Sequence, residues 1–543
     1  MSVASRSSET VENINKYASL SEPSANDAAN DAPAVRVSKR QLFAIFSGLI
    51  LAMVLAALDQ SIVSTALPTI ASDLGGLNHM TWVVTAFMLT STISAPIYGK
   101  LSDMYGRRPL FAISIVTFLL ASALCGAAHT MFQLILFRGL QGLGGGGLIT
   151  LSQTVIGALV TPRERGRYQG LFTGAFAVSS VTGPLLGGLI TSQFSWRWVF
   201  FINLPLGLVS LALVMITLPR IAAGQKHQID YAGAALLTGG TAAMLLLLNA
   251  GAAGGTAGGN SSDTSGGAFS LASPLLWALA VAAIAAFSLL IRVERRAAEP
   301  IIDLTLFRVR AYTVCVFASG MMAFAMMGSL VFLPLYFQLV LGQTPAESGL
   351  MMLPQVIAML LSSVIGGQIS TRTRRFTLLL SIGVGLEAGG LIYFALLAHL
   401  GASVPWFLSA AAVLGMGMGI GMPNATVVVQ NAVPARALGA ATATMSFIRS
   451  LGGSLGVALS GGVMALALHK QLAALPEKID VSTLAERGMA AIHQMSALQQ
   501  AQLVDAYRSA IGASLVTGGG IMMLAFLLVV RLAWANRGRA DIQ

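Results

Sequence analysis

Residues 99–109 read GKLSDMYGRRP, and residues 367–375 read GQISTRTRR. Each segment follows a long apolar run, and the two begin 268 residues apart. A second pair lies at nearly the same offset, about two residues shorter, because ALP at 66–68 is echoed by FLP at 332–334. Matches at one offset indicate an internal repeat. Two similar helical halves, with a substrate site between them near the membrane midplane, are a transporter architecture.

The composition indicates the same class of protein. The chain has 543 residues, of which 55% are apolar and only 10% are charged, and its mean hydropathy is +0.77. In a soluble protein roughly a quarter of the residues are charged. This chain therefore has too few charged residues to cover the surface of several soluble domains. These numbers exclude a cytosolic enzyme, a disordered protein and a nucleic-acid-binding protein. They predict an all-α polytopic membrane protein.

A helix that spans a bilayer needs about 20 mostly apolar residues, and fourteen segments satisfy this condition. Strands of a membrane barrel would be about half as long and would alternate in polarity. The predicted spans are 42–66, 81–100, 109–128, 132–158, 168–192, 196–218, 231–250, 272–292, 311–338, 347–370, 376–398, 405–430, 438–468 and 508–532.

The distribution of Lys and Arg predicts the orientation of these spans. With the N-terminus inside, 25 of the 32 Lys and Arg residues fall on the inner side and five on the outer side. Because cytoplasmic loops are enriched in these residues, we expect both termini to be cytoplasmic. The net charge of +11 is therefore explained by topology, and we expect no nucleic-acid partner.

The predicted organisation has five parts, and the second bundle includes a long outer segment, 469–507. This segment has apolar residues near helical spacing, so that a short helix at the membrane interface and a partly ordered loop both remain open. The parts are a disordered cytoplasmic tail (1–40), a first six-helix bundle (41–220), an inserted helix pair with a Gly/Ser-rich outer loop (221–300), a second six-helix bundle (301–535) and a cytoplasmic tail (536–543).

Five motifs in their expected order carry a family resemblance. Besides GKLSDMYGRRP, they are LDQSIVSTALPTI (58–70), LILFRGLQGLGGG (134–146), GPLLGGLI (183–190) and WRWVFFINLPLG (196–207). Over about residues 40–532 the chain resembles the major facilitator superfamily, and within it the fourteen-span drug:proton antiporter branch. The resemblance implies two six-helix bundles related by pseudo-two-fold symmetry, plus two inserted transmembrane helices.

Asp59 and Arg138 are the predicted proton-coupling residues. Asp59 lies among apolar residues of the first span, where an ionised carboxylate costs several kcal/mol, so burial favours its protonated form. Arg138 in the fourth span keeps its charge and needs an acceptor, for which Asp59 and Gln141 are the candidates. Protonation of Asp59 would release Arg138. The competing interpretations are a structural hydrogen bond and a static clamp between helices.

Two further motifs have predicted mechanical roles. We expect Asp103 to accept hydrogen bonds from Arg107 and Arg108 and from a neighbouring helix N-terminus, which would form a latch on the inner face. Ordinary positive-inside anchoring explains the arginines but not the Asp. Glycines allow helices to approach closely, and Pro removes one backbone hydrogen bond. The predicted latch also includes Gly99, and the predicted antiporter-motif helix interface comprises Gly183, Pro184, Gly187 and Gly188.

A substrate cavity is predicted mainly in the second half, where Met and aromatic residues concentrate. Met side chains suit promiscuous apolar surfaces, and aromatic faces attract organic cations. Lipid-facing packing explains any one of these residues equally well, and Glu387 is open to a second interpretation as a pairing residue between helices. The candidates are Gln141, Phe324, Met327, Tyr336, Gln355, Met418, Asn424 and Glu387.

The resemblance implies a proton-coupled exporter that moves amphipathic, often cationic drugs or toxic compounds by alternating access. We expect no catalytic residues, no metal site and no cofactor, with the proton gradient as the energy source. The expected partners are small amphipathic substrates, protons and membrane lipids. We expect a monomer in the bacterial inner membrane, and an accessory periplasmic partner remains open. The alternatives are a transporter with one physiological substrate (a lipid, siderophore, amino acid or metabolite) and a passive channel or sensor.

Overall fold

The computed structural model describes residues 38–75, 79–219, 230–256, 274–473 and 496–536. Three sequence predictions fall wholly or mostly outside these residues. They are the N-terminal tail, the Gly/Ser-rich outer loop and the C-terminal tail. The middle of the segment 469–507 lies outside them too, but both of its flanks are helical.

All fourteen predicted spans are confirmed as helices long and apolar enough to cross a membrane, and the described residues contain no strand. Spans 6 and 10 each consist of two consecutive helices. The helices are span 1 (Lys39–Leu74), span 2 (Met80–Tyr105), span 3 (Arg107–Gly126), span 4 (Met131–Leu159), span 5 (Arg165–Gln193), span 6 (Trp198–Phe201 and Asn203–Thr217), span 7 (Tyr231–Thr256), span 8 (Pro274–Glu294), span 9 (Arg310–Leu339), span 10 (Pro345–Met351 and Leu353–Thr373), span 11 (Phe376–Leu400), span 12 (Val404–Asn431), span 13 (Leu438–Ala473) and span 14 (Ala497–Asn536).

Local sequence explains several helix boundaries. Ser38 and Thr130 cap spans 1 and 4, because their hydroxyl groups accept from backbone N–H groups three residues later. Gly106, with φ of 89°, makes the sharp break between spans 2 and 3. Span 1 ends eight residues beyond its predicted limit, since the helix continues through Pro68. Membrane helices tolerate such a proline when neighbouring groups satisfy the freed carbonyl.

Spans 1–6 and spans 9–14 form two six-helix halves, each with its own buried apolar core. The halves pack through span 2 against span 13 and through span 5 against span 10. The crossing of spans 5 and 10 is close, because a Cβ atom on Gly166 would overlap Ser370 and one on Gly170 would overlap the Ser363 carbonyl. Spans 7 and 8 pack on each other, and span 7 also contacts spans 2 and 13.

The described hydrogen bonds between the two halves gather at one end of the bundle. The end that carries residues 99–108, called here the Asp103 end, holds the hydrogen bonds between the halves that involve Asp103 and Arg165. Toward the middle of the bundle, Thr92 still bonds Ser450 across the interface at 3.0 Å. At the opposite end, the polar residues Ser64 and Thr69 of span 1 are exposed. Among the described residues, every side-chain hydrogen bond between the halves lies at the Asp103 end or toward the middle of the bundle.

Candidate functional site: a buried charged pair and the contacts between the halves

Asp59 and Arg138 form an ion pair inside the first half. Arg138 Nη1 lies 2.6 Å from Asp59 Oδ2, and the two side chains are 1% and 0% exposed. The pair joins span 1 to span 4. Because removal of one partner leaves an uncompensated buried charge, such a pair is sensitive to any change in protonation.

Two amides complete the hydrogen bonds of the Asp59 carboxylate. Gln141 Nε2 donates to Asp59 Oδ1 at 2.9 Å, and Asn203 Nδ2 donates to the same oxygen at 2.6 Å. Gln141 Oε1 accepts from Arg138 Nη1 at 2.7 Å, so this glutamine bridges both charges. Every donor is arranged for an ionised carboxylate, which accepts hydrogen bonds but donates none. Both carboxylate oxygens of Asp59 therefore have hydrogen-bond donors within an apolar half.

Asn203 is a residue that the sequence analysis missed. It begins the second helix of span 6, and its Nδ2 also approaches Ser122 Oγ of span 3 at 3.0 Å. Four spans thus contribute polar side chains to one cluster, which we call the Asp59 network: Asp59, Ser122, Arg138, Gln141 and Asn203. In the sequence, the feature that could have indicated Asn203 is its position within the motif WRWVFFINLPLG.

Apolar residues enclose the network. The guanidinium carbon of Arg138 lies 4.2 Å from the centre of the Phe87 ring, a cation–π arrangement. Leu58, Ile62 and Leu134 belong to the buried cluster that surrounds the pair. In such surroundings the field of each charge is weakly screened, so the gain or loss of one proton on Asp59 changes the energy of the whole cluster.

Asp103 caps a helix of the other half. Its two carboxylate oxygens accept from the backbone N–H groups of Gly439 at 3.1 Å and Ala440 at 2.9 Å, in the first turn of span 13. Arg107 lies 3.9 Å from Asp103. A carboxylate at a helix N-terminus satisfies unpaired N–H groups and interacts favourably with the helix dipole. These bonds exist only while the halves touch.

The other predicted latch residues have different contacts. Arg108 donates to the carbonyl oxygen of Met215 in span 6, within its own half. Gly99 lies against span 13, where an added Cβ atom would overlap Ala443. The Asp103 end therefore combines one charged cap with one close crossing of small residues, and Arg108 stands outside the contact between the halves.

A second set of contacts between the halves was not predicted. Arg165 Nη1 donates to the Gln430 carbonyl at 3.0 Å and to Asn431 Oδ1 at 2.6 Å, which links span 5 to span 12. Gln430 Nε2 in turn donates to the backbone carbonyl of Gln153 in span 4 at 3.0 Å. Gln169 Nε2 donates to Gln430 Oε1 at 3.4 Å. In the sequence, Arg165 is recognisable only as one of the arginines of the inner loops. Glutamines within a span are neutral, so they do not show that a partner is required.

Two of the four residues of the predicted antiporter-motif interface make close helix contacts. A Cβ atom on Gly183 would overlap Ser61, and one on Gly187 would press on Ile62. Both contacts join span 5 to span 1 inside the first half. Pro184 is exposed, and a Cβ atom on Gly188 would meet nothing within 4 Å.

The predicted cavity residues are mostly enclosed. Tyr336 packs in an aromatic cluster, with its ring centre 5.1 Å from that of Phe407 and 5.5 Å from that of Phe394. Only Met327 is partly exposed, and Gln141 belongs to the Asp59 network. Substrate contact by these residues stays a prediction. The fully buried candidates are Phe324, Tyr336, Gln355, Met418, Asn424 and Glu387.

The two remaining charges within the spans differ in surroundings. Glu387 is 0% exposed in span 11, and neither of its carboxylate oxygens has a hydrogen-bond partner. Pairing between helices, the second interpretation of Glu387, has no supporting hydrogen bond or ion pair among the described residues. Arg449 in span 13 is partly exposed at the interface between the halves. In the described ranges no group of three or more His, Cys, Asp or Glu side chains is placed to hold a metal ion.

Comparison with known sequences shows the family of this chain. The Major Facilitator Superfamily model matches residues 49–457. Multidrug transporter protein MdtP of Bacillus subtilis is 38% identical over 79% of this chain and 76% of its own length. Multidrug resistance protein 3 of the same organism is 36% identical over 77% and 78%. An MFS-type efflux pump of Fusarium, LUC4, is 32% identical over 83% and 78%.

Solved structures support the fold alone. A double-Trp mutant of XylE superposes with a TM-score of 0.59 at 15% identity, over 91% of this chain and 96% of that one. The human organic anion transporter MFSD10 gives a TM-score of 0.57 at 15% identity, over 91% and 100%. The family model covers most of the chain, and the fourteen helices are arranged as two six-helix halves and an inserted pair. The chain therefore belongs to the major facilitator superfamily of membrane transporters.

Proposed function

We propose that this transporter is a proton-coupled exporter of amphipathic compounds in the bacterial inner membrane, with both termini in the cytoplasm. The observation that carries the proposal is the Asp59–Arg138 pair, which is buried and has three hydrogen-bond donors directed at one carboxylate. The names of the relatives support export, since two of them are called multidrug proteins. The positive-inside distribution supports the orientation.

The proposed coupling begins when Asp59 takes a proton from the outside. A protonated carboxyl group must donate one hydrogen bond, whereas the groups around Asp59 are donors. Arg138 then loses its counter-charge in an apolar surrounding, and loss of a buried partner costs about 3–5 kcal/mol. Relief of this cost requires spans 1 and 4 to rearrange. A shift of this size is sufficient to reverse the populations of two conformations.

The proposed orientation makes the Asp103 end cytoplasmic. Because the described hydrogen bonds between the halves lie at that end or toward the middle, we take this conformation to be closed to the cytoplasm and open to the outside, with the ion pair intact. Opening toward the cytoplasm requires rupture of the Asp103 cap and of the Arg165 contacts with span 12. Proton entry from outside and substrate entry from inside would then occur in opposite conformations, which is alternating access. One proton moving down a potential of 100 mV supplies about 2.3 kcal/mol.

Transport in inside-out vesicles with an imposed pH gradient tests the proposal. Two probes are used, the cationic dye ethidium and the acidic dye dansylglycine, because the charge of the substrate is open. We expect Asp59→Asn to abolish gradient-dependent uptake of whichever probe the wild type moves. Asp73→Asn is the matched control on the same helix, since Asp73 bonds Trp196 at 2.8 Å outside the network. Gradient-driven uptake that persists in Asp59→Asn would refute the proton site.

A further inference from the structure

Arg449 precedes Ser450, the residue of span 13 that bonds Thr92 of the opposite half. Span 13 is buried without interruption from Leu438 to Phe447, where it packs against the first half at the Asp103 end. The next five residues, 448–452, are partly exposed, and Arg449 is the charged one among them. Its hydrogen bond reaches Gln153 of span 4, in the opposite half. The guanidinium group therefore lies at the interface between the halves, toward the middle of the bundle.

The charge of Arg449 is not balanced by the described residues. Its hydrogen bond to Gln153 Oε1 is long, at 3.4 Å, and that acceptor is neutral. No described Asp or Glu side chain forms an ion pair with it within 4.0 Å. Asp59 is bound by Arg138, and the Glu387 carboxyl group makes no hydrogen bond to any group. A membrane-embedded charge normally has a partner, and the partly exposed guanidinium group of Arg449 is accessible to one that is not among the described residues.

Guanidinium chemistry defines that partner. Its planar N–H groups match an oxyanion with two parallel hydrogen bonds, and the screening in a narrow space between apolar helices is weaker than in water. We propose that Arg449 is a specificity-determining residue that binds the acidic group, a carboxylate or similar oxyanion, of an amphipathic substrate. Span 9, which packs on span 13, offers the partly exposed Met327 for the apolar part of the same molecule.

This inference rests on the proposed transport function and adds the charge of the substrate to it. It places acidic amphiphiles, rather than cations alone, among the compounds that the protein binds. The Gln153–Arg449 bond crosses the interface between the halves, so a substrate oxyanion that competes for Arg449 would also weaken one contact of the closed end.

Binding to the purified full-length protein, without any pH gradient, tests the inference. Two fluorescent probes share one skeleton: dansylglycine carries the carboxylate, and its methyl ester does not. We expect the wild type to bind the acid more tightly than the ester. Arg449→Gln should weaken binding of the acid about tenfold or more, the value of a charged hydrogen bond, and leave the ester within about twofold. Arg449→Lys keeps the positive charge but loses the planar pair of N–H groups. Its affinity for the acid should therefore lie between those of the wild type and Arg449→Gln.

The control is Arg436→Gln, because Arg436 is an exposed arginine in the short helix before span 13. Equal binding of acid and ester by the wild type would overturn the inference without reliance on any variant. An unchanged preference in Arg449→Gln would overturn it as well. Failure of proton coupling has a different signature, since it appears as gradient-insensitive uptake in vesicles and leaves the equilibrium preference for the acid intact.

Discussion

At the scale of single residues, the sequence predicted the charges better than their neutral partners. Asp59 and Arg138 were recognisable because an ionised side chain within an apolar span requires a partner, and Gln141 follows Arg138 at the spacing of one helical turn. Asn203 and Gln430 were missed. Neutral amides carry no such penalty signal, and their contacts join residues 144 and 277 positions apart. Only the folded arrangement of spans reveals contacts of that kind.

The first prediction concerns the energy of the pair. Arg138→Gln leaves the Asp59 carboxylate without its counter-charge, so we expect a loss of about 3–5 kcal/mol in the free energy of unfolding. The double variant Asp59→Asn/Arg138→Gln should recover a large part of this loss, because no buried charge remains. Thermal unfolding of the purified proteins at one pH measures both effects.

Arg436→Gln, an exposed substitution, serves as the control for loss of an arginine. If the double variant is as unstable as the sum of its two single variants, Asp59 and Arg138 do not stabilise each other. The ion pair would then have no energetic role in this fold.

At the scale of elements, small residues set how closely the halves approach. The segments that begin at Gly99 and Gly367 were recognisable as a repeat, and both glycines lie in contacts between the halves: Gly99 against span 13 and Gly367 against Gly166. The sequence predicted that Asp103 would cap a neighbouring helix, but not which helix that would be. That assignment depends on the register of span 2 along span 13, where Asp103 reaches the first turn.

The second prediction concerns this crossing. Gly99→Ala places a methyl group onto Ala443, so the Asp103 end should close less tightly. We expect a several-fold lower transport rate with little change in thermal stability, because each half keeps its own core. Initial uptake rates in vesicles, corrected for the amount of protein, measure the effect.

Gly188→Ala is the matched control, since its added methyl group would meet nothing within 4 Å. Equal transport by the two variants would show that the approach of span 2 to span 13 does not limit transport.

At the scale of the whole molecule, the fourteen spans and the two halves were predictable, whereas the conformation was not. Span number follows from apolar length, a property of each segment alone. Which end is open depends on a few kcal/mol between two packings of one sequence. In this conformation the ion pair of Asp59 is intact and the Asp103 end is closed. The central claim is that protonation of Asp59 favours the opposite conformation.

The most direct test is the distance between spin labels at the outer ends of the two halves, measured from pH 9 to pH 5. Ser72 of span 1 and Ser403, which precedes span 12, are exposed and suit the labels. The account predicts that acid shortens the wild-type distance as the outside closes. Asp59→Asn, which mimics the protonated residue, should show the short distance at every pH. A pH response that is the same in Asp59→Asn and in the wild type would contradict the account.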